Sequence, residues 1–174
     1  VAGAKFDFEK AKWFNHEWIK KSAVQNYTLT VKELLGSAGI SVTDEGKLES
    51  VLELVKDRCT LLPDFVQQSS FFFKTPDRLD VDAVKPKWTA DKKDFFTAYA
   101  DKLASLSEWN IPGLENCFKQ LAAEKNIKPG DLQLPLRIML VGGKYGPPVF
   151  AIAELLGKDE TIRRINNAIV VIEG

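Results

Sequence analysis

Apolar residues recur at steps of three and four along most of the chain. In the stretch between residues 44 and 59 they are Leu48, Val51, Leu52, Val55 and Cys59. This spacing places the side chains on one face of an α-helix. Strand-like alternation is brief, at residues 27–31, and the β-branched residues 169–172 continue a helical pattern. The pattern predicts an all-α fold with helices near residues 8–20, 30–38, 44–59, 63–73, 90–106, 113–126, 131–141, 148–157 and 159–171.

Polar residues before two of these helices predict how the helices begin. Thr43 stands before Asp44 and Glu45, so we expect Thr43 to cap a helix whose first turn carries acidic side chains. Thr30 and Glu33 have the spacing of a capping box. The pair formed by Asp159 and Glu160 is likewise expected at a helix start rather than in an acid–base dyad.

A connector rich in Pro, Asp and Lys lies between residues 73 and 88. Such composition is typical of a boundary between compact helical bundles. We therefore predict two packed helical subdomains, residues 1–75 and residues 76–174.

Composition narrows the possible function classes. The 174 residues carry 24 Lys and Arg against 24 Asp and Glu, and no apolar run approaches the length of a membrane span. We predict no transmembrane helix, no secretory signal and a cytoplasmic location. Cys59 and Cys117 are expected to be free and buried. A net charge of zero argues against non-specific binding to nucleic acid, because such binding depends on a surplus of basic residues.

The sequence lacks each of the catalytic and metal-binding patterns that we considered. His16 is the only histidine, so a multi-histidine metal site is excluded and His16 is expected to be an ordinary surface or packing residue. The cysteines lack CxxC spacing. Residues 142–146 resemble a phosphate loop, but Ile138 and Tyr145 occupy positions where that loop needs Gly and Ser or Thr. We predict no catalytic residue, no metal and no cofactor in this chain.

Arginine is scarce, with five residues against many lysines. Arg58 lies near the end of its predicted helix, and Arg137 stands among apolar residues. A guanidinium can form paired hydrogen bonds with a base edge, a phosphate or a carboxylate. An internal salt bridge for Arg137 and a helix C-terminal contact for Arg58 are equally open alternatives from composition alone.

Several segments together resemble the C-terminal region of bacterial glutamyl-tRNA synthetase. In chain order these segments are Lys12–Ile19, Glu53–Arg58, Leu121–Lys125, Leu134–Arg137, Gly142, Pro147, Phe150, Glu154–Lys158 and Arg163–Ile165. The resemblance covers nearly the whole chain, and its last block is the most specific. It implies the all-helical, two-part anticodon-binding region of that enzyme.

The resemblance also implies what this chain lacks. The HIGH-like and KMSKS-like motifs of the class I catalytic core, which uses ATP and Mg²⁺, are absent from the sequence. The fragment is therefore expected to be inactive alone, as part of a monomeric ligase whose partner is tRNA(Glu). The alternative is a helical scaffold domain that shares this ancestry and has lost RNA recognition.

Site residues follow from the same resemblance. Arg58 matches the arginine that recognises the third anticodon base and separates glutamate from glutamine tRNAs, and Arg137 matches the one that contacts the first base. Gly146, Pro147 and Val149 match the loop around the middle base. Where the family often has Thr-Pro-Gly-Leu, this chain has Gly-Pro-Pro-Val. A hydroxyl is thereby lost, and Pro148 lacks an N–H.

Overall fold

The computed structural model describes residues 7–174, and within this range it contains α-helices, short 3-10 turns and no strand. The helices are α1 (Phe8–Lys21), α2 (Thr28–Ser37), α3 (Glu45–Val55), α4 (Asp64–Ser69), α5 (Ala90–Ala104), α6 (Ile111–Glu124), α7 (Gly130–Val141), α8 (Val149–Leu156) and α9 (Lys158–Glu173). The 3-10 turns are Val24–Asn26, Lys56–Arg58, Ser70–Phe72, Val81–Ala83 and Lys85–Lys87. The predicted all-α fold class is confirmed.

Two predicted helix starts are wrong. The N-cap of α3 is Asp44, not Thr43, because the Asp44 carboxylate accepts a hydrogen bond from the Lys47 N–H at 2.9 Å. Helix α2 begins at Thr28, with Tyr27 as its N-cap residue after a 3-10 turn that ends at Asn26, so Thr30 lies inside the helix and forms no capping box. The acidic residues Asp159 and Glu160 do lie in the first turn of α9.

The chain divides into two compact units, the first ending at Lys74 and the second running from Thr75 to Gly174. The first unit contains α1 to α4, and its fully buried residues include Tyr27, Leu48 and Phe65. His16 is the packing residue expected, because its Nδ1 lies 2.7 Å from the Cys59 carbonyl oxygen and links α1 to the turn after α3. That the units act as two functional subdomains stays a prediction.

The second unit is built around α5, which packs against both α6 and α9. Its core is an aromatic cluster in which the rings of Phe95, Tyr99 and Phe118 contact one another, and Phe150 of α8 packs on Phe118. The Tyr99 hydroxyl donates to the Leu114 carbonyl at 3.0 Å, which satisfies its one polar group inside this core.

From Thr75 onward the connector before α5 belongs to the second unit, and it holds two of the 3-10 turns. The Asp80 N–H donates to the Gly142 carbonyl at 2.8 Å, and the Trp88 indole donates to Glu173 at the end of α9. These bonds attach the connector to the end of α7 and to α9.

Arg164 of α9 is a buried charge, only 3% exposed. Its Nε donates to Glu160 at 2.7 Å, and its Nη1 donates to the Leu140 carbonyl in the last turn of α7 at 2.6 Å. Burial raises the pKa of Glu160, but hydrogen bonds from Arg163, Arg164 and Thr75 outweigh it and hold that pKa below its ordinary value. The network joins α7, α9 and the start of the connector.

Both cysteines are free thiols, Cys59 buried and Cys117 half-buried. Burial is the largest factor that raises the pKa of Cys59 to about 12, so its thiol stays protonated at neutral pH. Among the described residues, no helix combines the length and apolar character needed to cross a membrane.

Arg164→Met should lower the free energy of unfolding by about 2–4 kcal/mol, because it leaves the Leu140 carbonyl without the Arg164 donor and removes one of the three donors to Glu160. Arg163→Met is the matched control, since Arg163 also bonds to Glu160 but its side chain is 54% exposed. The control should change stability by less than about 1 kcal/mol. Urea unfolding of both variants measures the difference, and equal losses would contradict a special role for the buried arginine.

Candidate functional site

Arg137 lies in the third turn of α7 and is half-buried. Its Nη1 donates hydrogen bonds to three successive backbone carbonyls, those of Tyr145 at 3.0 Å, Gly146 at 3.1 Å and Pro147 at 2.8 Å. The sequence analysis gave two interpretations of Arg137, an internal salt bridge and contact with the first anticodon base, and neither predicts bonds to these backbone carbonyls. The side chain therefore holds the loop between α7 and α8 from inside.

Two glycines give this loop its path. Gly142 ends α7 in the left-handed conformation, with φ +87°, and its N–H donates to the Ile138 carbonyl at 2.8 Å. Gly146 has φ +104°, which a residue with a side chain rarely adopts. Glycine at position 146, where the resemblance implies threonine, thus suits the backbone conformation seen here.

The prolines after Gly146 lead directly into α8. Pro147 is buried and Pro148, the N-cap residue of α8, is exposed. Val149 is 2% exposed, so its side chain supports the loop from the core side. Gly146 is partly exposed. Within residues 146–149 the accessible positions are therefore Gly146 and Pro148, and earlier in the loop Lys144 is exposed as well.

Arg58 lies in the other unit, as the last residue of the 3-10 turn that follows α3. Its side chain is exposed, whereas the next residue, Cys59, is buried and anchors the turn through its carbonyl contact with His16. The turn thus presents a guanidinium to solvent from a fixed backbone. Of the predicted site residues, the structure places Gly146, Pro147 and Val149 at the end of the α7–α8 loop and the start of α8, and Arg137 of α7 is hydrogen-bonded to this segment.

No three His, Cys, Asp or Glu side chains are grouped to hold a metal ion within the part of the chain that the structure describes. The chemistry available in the loop is hydrogen bonding by backbone groups around an internally bonded arginine. The chemistry available at Arg58 is that of an exposed guanidinium. Both suit recognition of a polar ligand rather than bond cleavage.

Comparison with protein families gives one domain match, to a family described as an anticodon binding domain. The match covers residues 9–169 and so runs through both units.

The curated relatives include glutamate–tRNA ligases. That of Phocaeicola vulgatus is 35% identical over 172 residues, which is 99% of this chain and 34% of the relative. That of Bacteroides fragilis is 33% identical over the same share of each chain. The chain therefore spans about a third of the length of these relatives.

Solved structures that are similar to this chain also include glutamate–tRNA ligases. The glutamate tRNA ligase of Elizabethkingia meningosepticum, in complex with its amino acid, matches 98% of this chain with a TM-score of 0.87 and 33% identity. The glutamate–tRNA synthetase of Elizabethkingia anophelis matches 97% with a TM-score of 0.81 and 33% identity. The chain covers 34% and 33% of those two proteins.

Gly142→Ala should destabilise the second unit by about 2–4 kcal/mol, because alanine is strained in the left-handed region. A Cβ there would also lie 2.7 Å from the Arg78 carbonyl oxygen. The control is Gly130→Ala at the other end of α7, where a Cβ meets nothing within 4 Å. It should be neutral or stabilising by up to about 1 kcal/mol. Thermal unfolding of the two variants tests this, and a neutral Gly142→Ala would show that the loop can adopt another path.

Proposed function

The chain belongs to the anticodon binding domain family, and we propose that it is the tRNA-recognising part of a bacterial glutamate–tRNA ligase. The observation that carries this proposal is the family match through both helical units. The exposed Arg58 and the loop held by Arg137 supply groups suited to unpaired bases, since RNA sequence is recognised mainly in single-stranded loops.

The aminoacylation chemistry belongs in this proposal to the other two thirds of the ligase. That part would bind ATP, Mg²⁺ and glutamate, and this chain would be inactive alone. We further propose that the whole enzyme is a cytoplasmic monomer. Its catalytic part would hold the acceptor arm of tRNA(Glu) while this region binds the anticodon.

Arg58 is proposed to recognise the third anticodon base. An unpaired cytosine presents two acceptors, O2 and N3, on one edge, and the planar guanidinium carries N–H groups at a matching spacing. Because Arg58 is exposed on a turn whose next residue is buried, the guanidinium can meet a base without moving the backbone. An arginine rather than glutamine here suits an enzyme that separates glutamate from glutamine tRNAs.

The α7–α8 loop is proposed to bind the first and middle bases. Arg137 of α7 donates to the carbonyls of Tyr145, Gly146 and Pro147 at the end of this loop, and Val149, the first residue of α8, is buried. Gly146 is partly exposed and Pro148, two residues later, is exposed, so the proline ring offers an apolar surface to a base.

The isolated chain should bind an RNA stem-loop carrying the tRNA(Glu) anticodon weakly, because the 24 basic and 24 acidic residues give no net attraction for phosphate. The binding should nevertheless depend on the three anticodon bases. Titration against a stem-loop of identical stem and scrambled anticodon is the control. Equal affinity for the two RNAs would favour a scaffold that has lost RNA recognition.

Arg58→Gln in the full ligase should reduce the preference for cytosine at the third anticodon position by about 5- to 150-fold, the value of a bidentate arginine contact in the analogous DNA case. Charging of tRNAs that differ only at that base measures the preference. Arg163→Gln is a control, because Arg163 is an exposed arginine of the other unit. If the ratio of charging between these tRNAs is unchanged in Arg58→Gln, Arg58 does not recognise the third anticodon base.

A further inference from the structure

The peptide group between Cys59 and Thr60, just after Arg58, is held on both sides. The Cys59 carbonyl oxygen lies 2.7 Å from Nδ1 of His16, in α1. The Thr60 N–H donates to a carboxylate oxygen of Asp64, the first residue of α4, at 2.9 Å. Because the C=O and N–H of a trans peptide point in opposite directions within one plane, the two helices together fix the orientation of this group.

The two hydrogen bonds differ in how far they reach along the chain. Asp64 lies four residues after Thr60 and also accepts the Leu61 N–H at 2.8 Å, so its bonds are local to the segment. His16 lies 43 residues from Cys59. The histidine therefore ties the turn to a helix outside its own segment, whereas Asp64 shapes the segment itself.

His16 is aimed at the turn by its place on α1. It stands three residues before the fully buried Ile19, so the two side chains lie on the same face of the helix. Helix α1 packs against the turn Lys56–Arg58. A carbonyl oxygen only accepts, so the bond to Cys59 requires a hydrogen on Nδ1 of His16. Since Cys59 is fully buried, this donor serves a polar group in the interior of the unit.

We infer that His16 is a positioning residue for recognition of the third anticodon base: through the Cys59 carbonyl it holds the backbone from which Arg58 presents its guanidinium. The inference rests on the proposed function, because it gives His16 a part in what Arg58 is proposed to do. His16 touches no base in this arrangement. Its role nevertheless goes beyond the packing role expected from the sequence, because it affects which base is preferred.

A fixed backbone matters for Arg58 because paired hydrogen bonds need both N–H groups aligned with the two acceptors of one base. An arginine on a loose turn has more conformations to lose on binding, which lowers its affinity for the base that uses both bonds. A base that forms a single bond places a weaker demand on the orientation of the guanidinium. Loosening of the turn should therefore reduce the advantage of the preferred base, rather than lower affinity equally for all bases.

Two substitutions separate the hydrogen bond of His16 from its packing. His16→Leu removes the donor and keeps an apolar, branched side chain, whereas His16→Asn places an amide N–H where the ring has its Nδ1–H. Each variant of the full ligase charges tRNAs that differ only at the third anticodon base, and the ratio of their kcat/KM values is the third-base preference. We expect His16→Leu to lower this preference by about 3- to 10-fold, the value of one hydrogen bond, and His16→Asn to retain most of it.

The first-base preference, measured in the same way, should stay unchanged in both variants. An unchanged third-base preference in His16→Leu would overturn the inference. Equal losses in His16→Leu and His16→Asn would also contradict it, because the loss would then not depend on the hydrogen bond.

A double variant tests whether His16 acts through Arg58. Residues that work as a unit give effects that are not additive. In a ligase that already carries Arg58→Gln, His16→Leu should therefore cause no further loss of third-base preference. A loss as large as that of the single variant would mean that His16 acts separately from Arg58, and the inference would be overturned.

Leu35→Val is the control for a first unit that is merely less stable. Leu35 is fully buried in α2, and the ion pair of Lys32 with Glu45, at 2.6 Å, places this part of α2 beside the start of α3. The turn that carries Arg58 follows the other end of α3. Thermal unfolding measures the stability of each variant. The control should lose stability and keep its third-base preference, and a loss of preference equal to that of His16→Leu would overturn the inference.

Failure of the inference is distinguishable from failure of the proposed function. If Arg58→Gln leaves the third-base preference unchanged, the proposed role of Arg58 fails and the inference fails with it. If Arg58→Gln lowers the preference and His16→Leu does not, the proposed function stands and the inference alone is overturned.

Discussion

The hydrogen bond from buried Arg164 to the Leu140 carbonyl fixes the place where α7 ends. The last carbonyls of a helix have no partner within the helix, and a buried one needs a partner from elsewhere. Arg164 supplies that partner across from α9, and Glu160 neutralises the charge that Arg164 brings into the core. Because α7 ends there, Gly142 can turn left-handed and Arg137, one turn back, lies beneath the loop that follows.

The two arginines of the proposed site differ in how firmly the protein itself holds them in the absence of RNA. Nη1 of Arg137 donates hydrogen bonds within the protein, to three backbone carbonyls of the α7–α8 loop. Arg58 is exposed, so in the proposed complex its side chain would lose rotamer freedom on contact with a base. The first arrangement favours a fixed shape, and the second favours strong paired hydrogen bonds at an entropic cost.

Sequence patterns predicted the helices well because nearly every helix is amphipathic and bounded by Pro, Gly or an acidic cap. They failed at Thr43 and Thr30, where neighbouring residues compete for the same role: Asp44 is the better-placed acceptor, and a 3-10 turn before Thr28 starts α2 early. The position of Arg137 in the site came from a resemblance. Its bonds to residues 145–147 could not be foreseen, because the acceptors are backbone groups and any residue type supplies them. The glycine at 146 was the available signal, since a positive φ is the conformation for which glycine is suited.

A net charge of zero has a specific physical meaning for such a domain. Attraction to phosphate is summed over many charges and is blind to sequence, whereas a donor aimed at a base edge acts only when the right acceptor is present. A neutral region that holds its donors in place contributes little to overall affinity. Its binding free energy can still differ between two bases by the value of a full hydrogen bond. If the rest of a ligase supplies affinity, this division keeps discrimination high, because affinity that is equal for every tRNA cannot separate one from another.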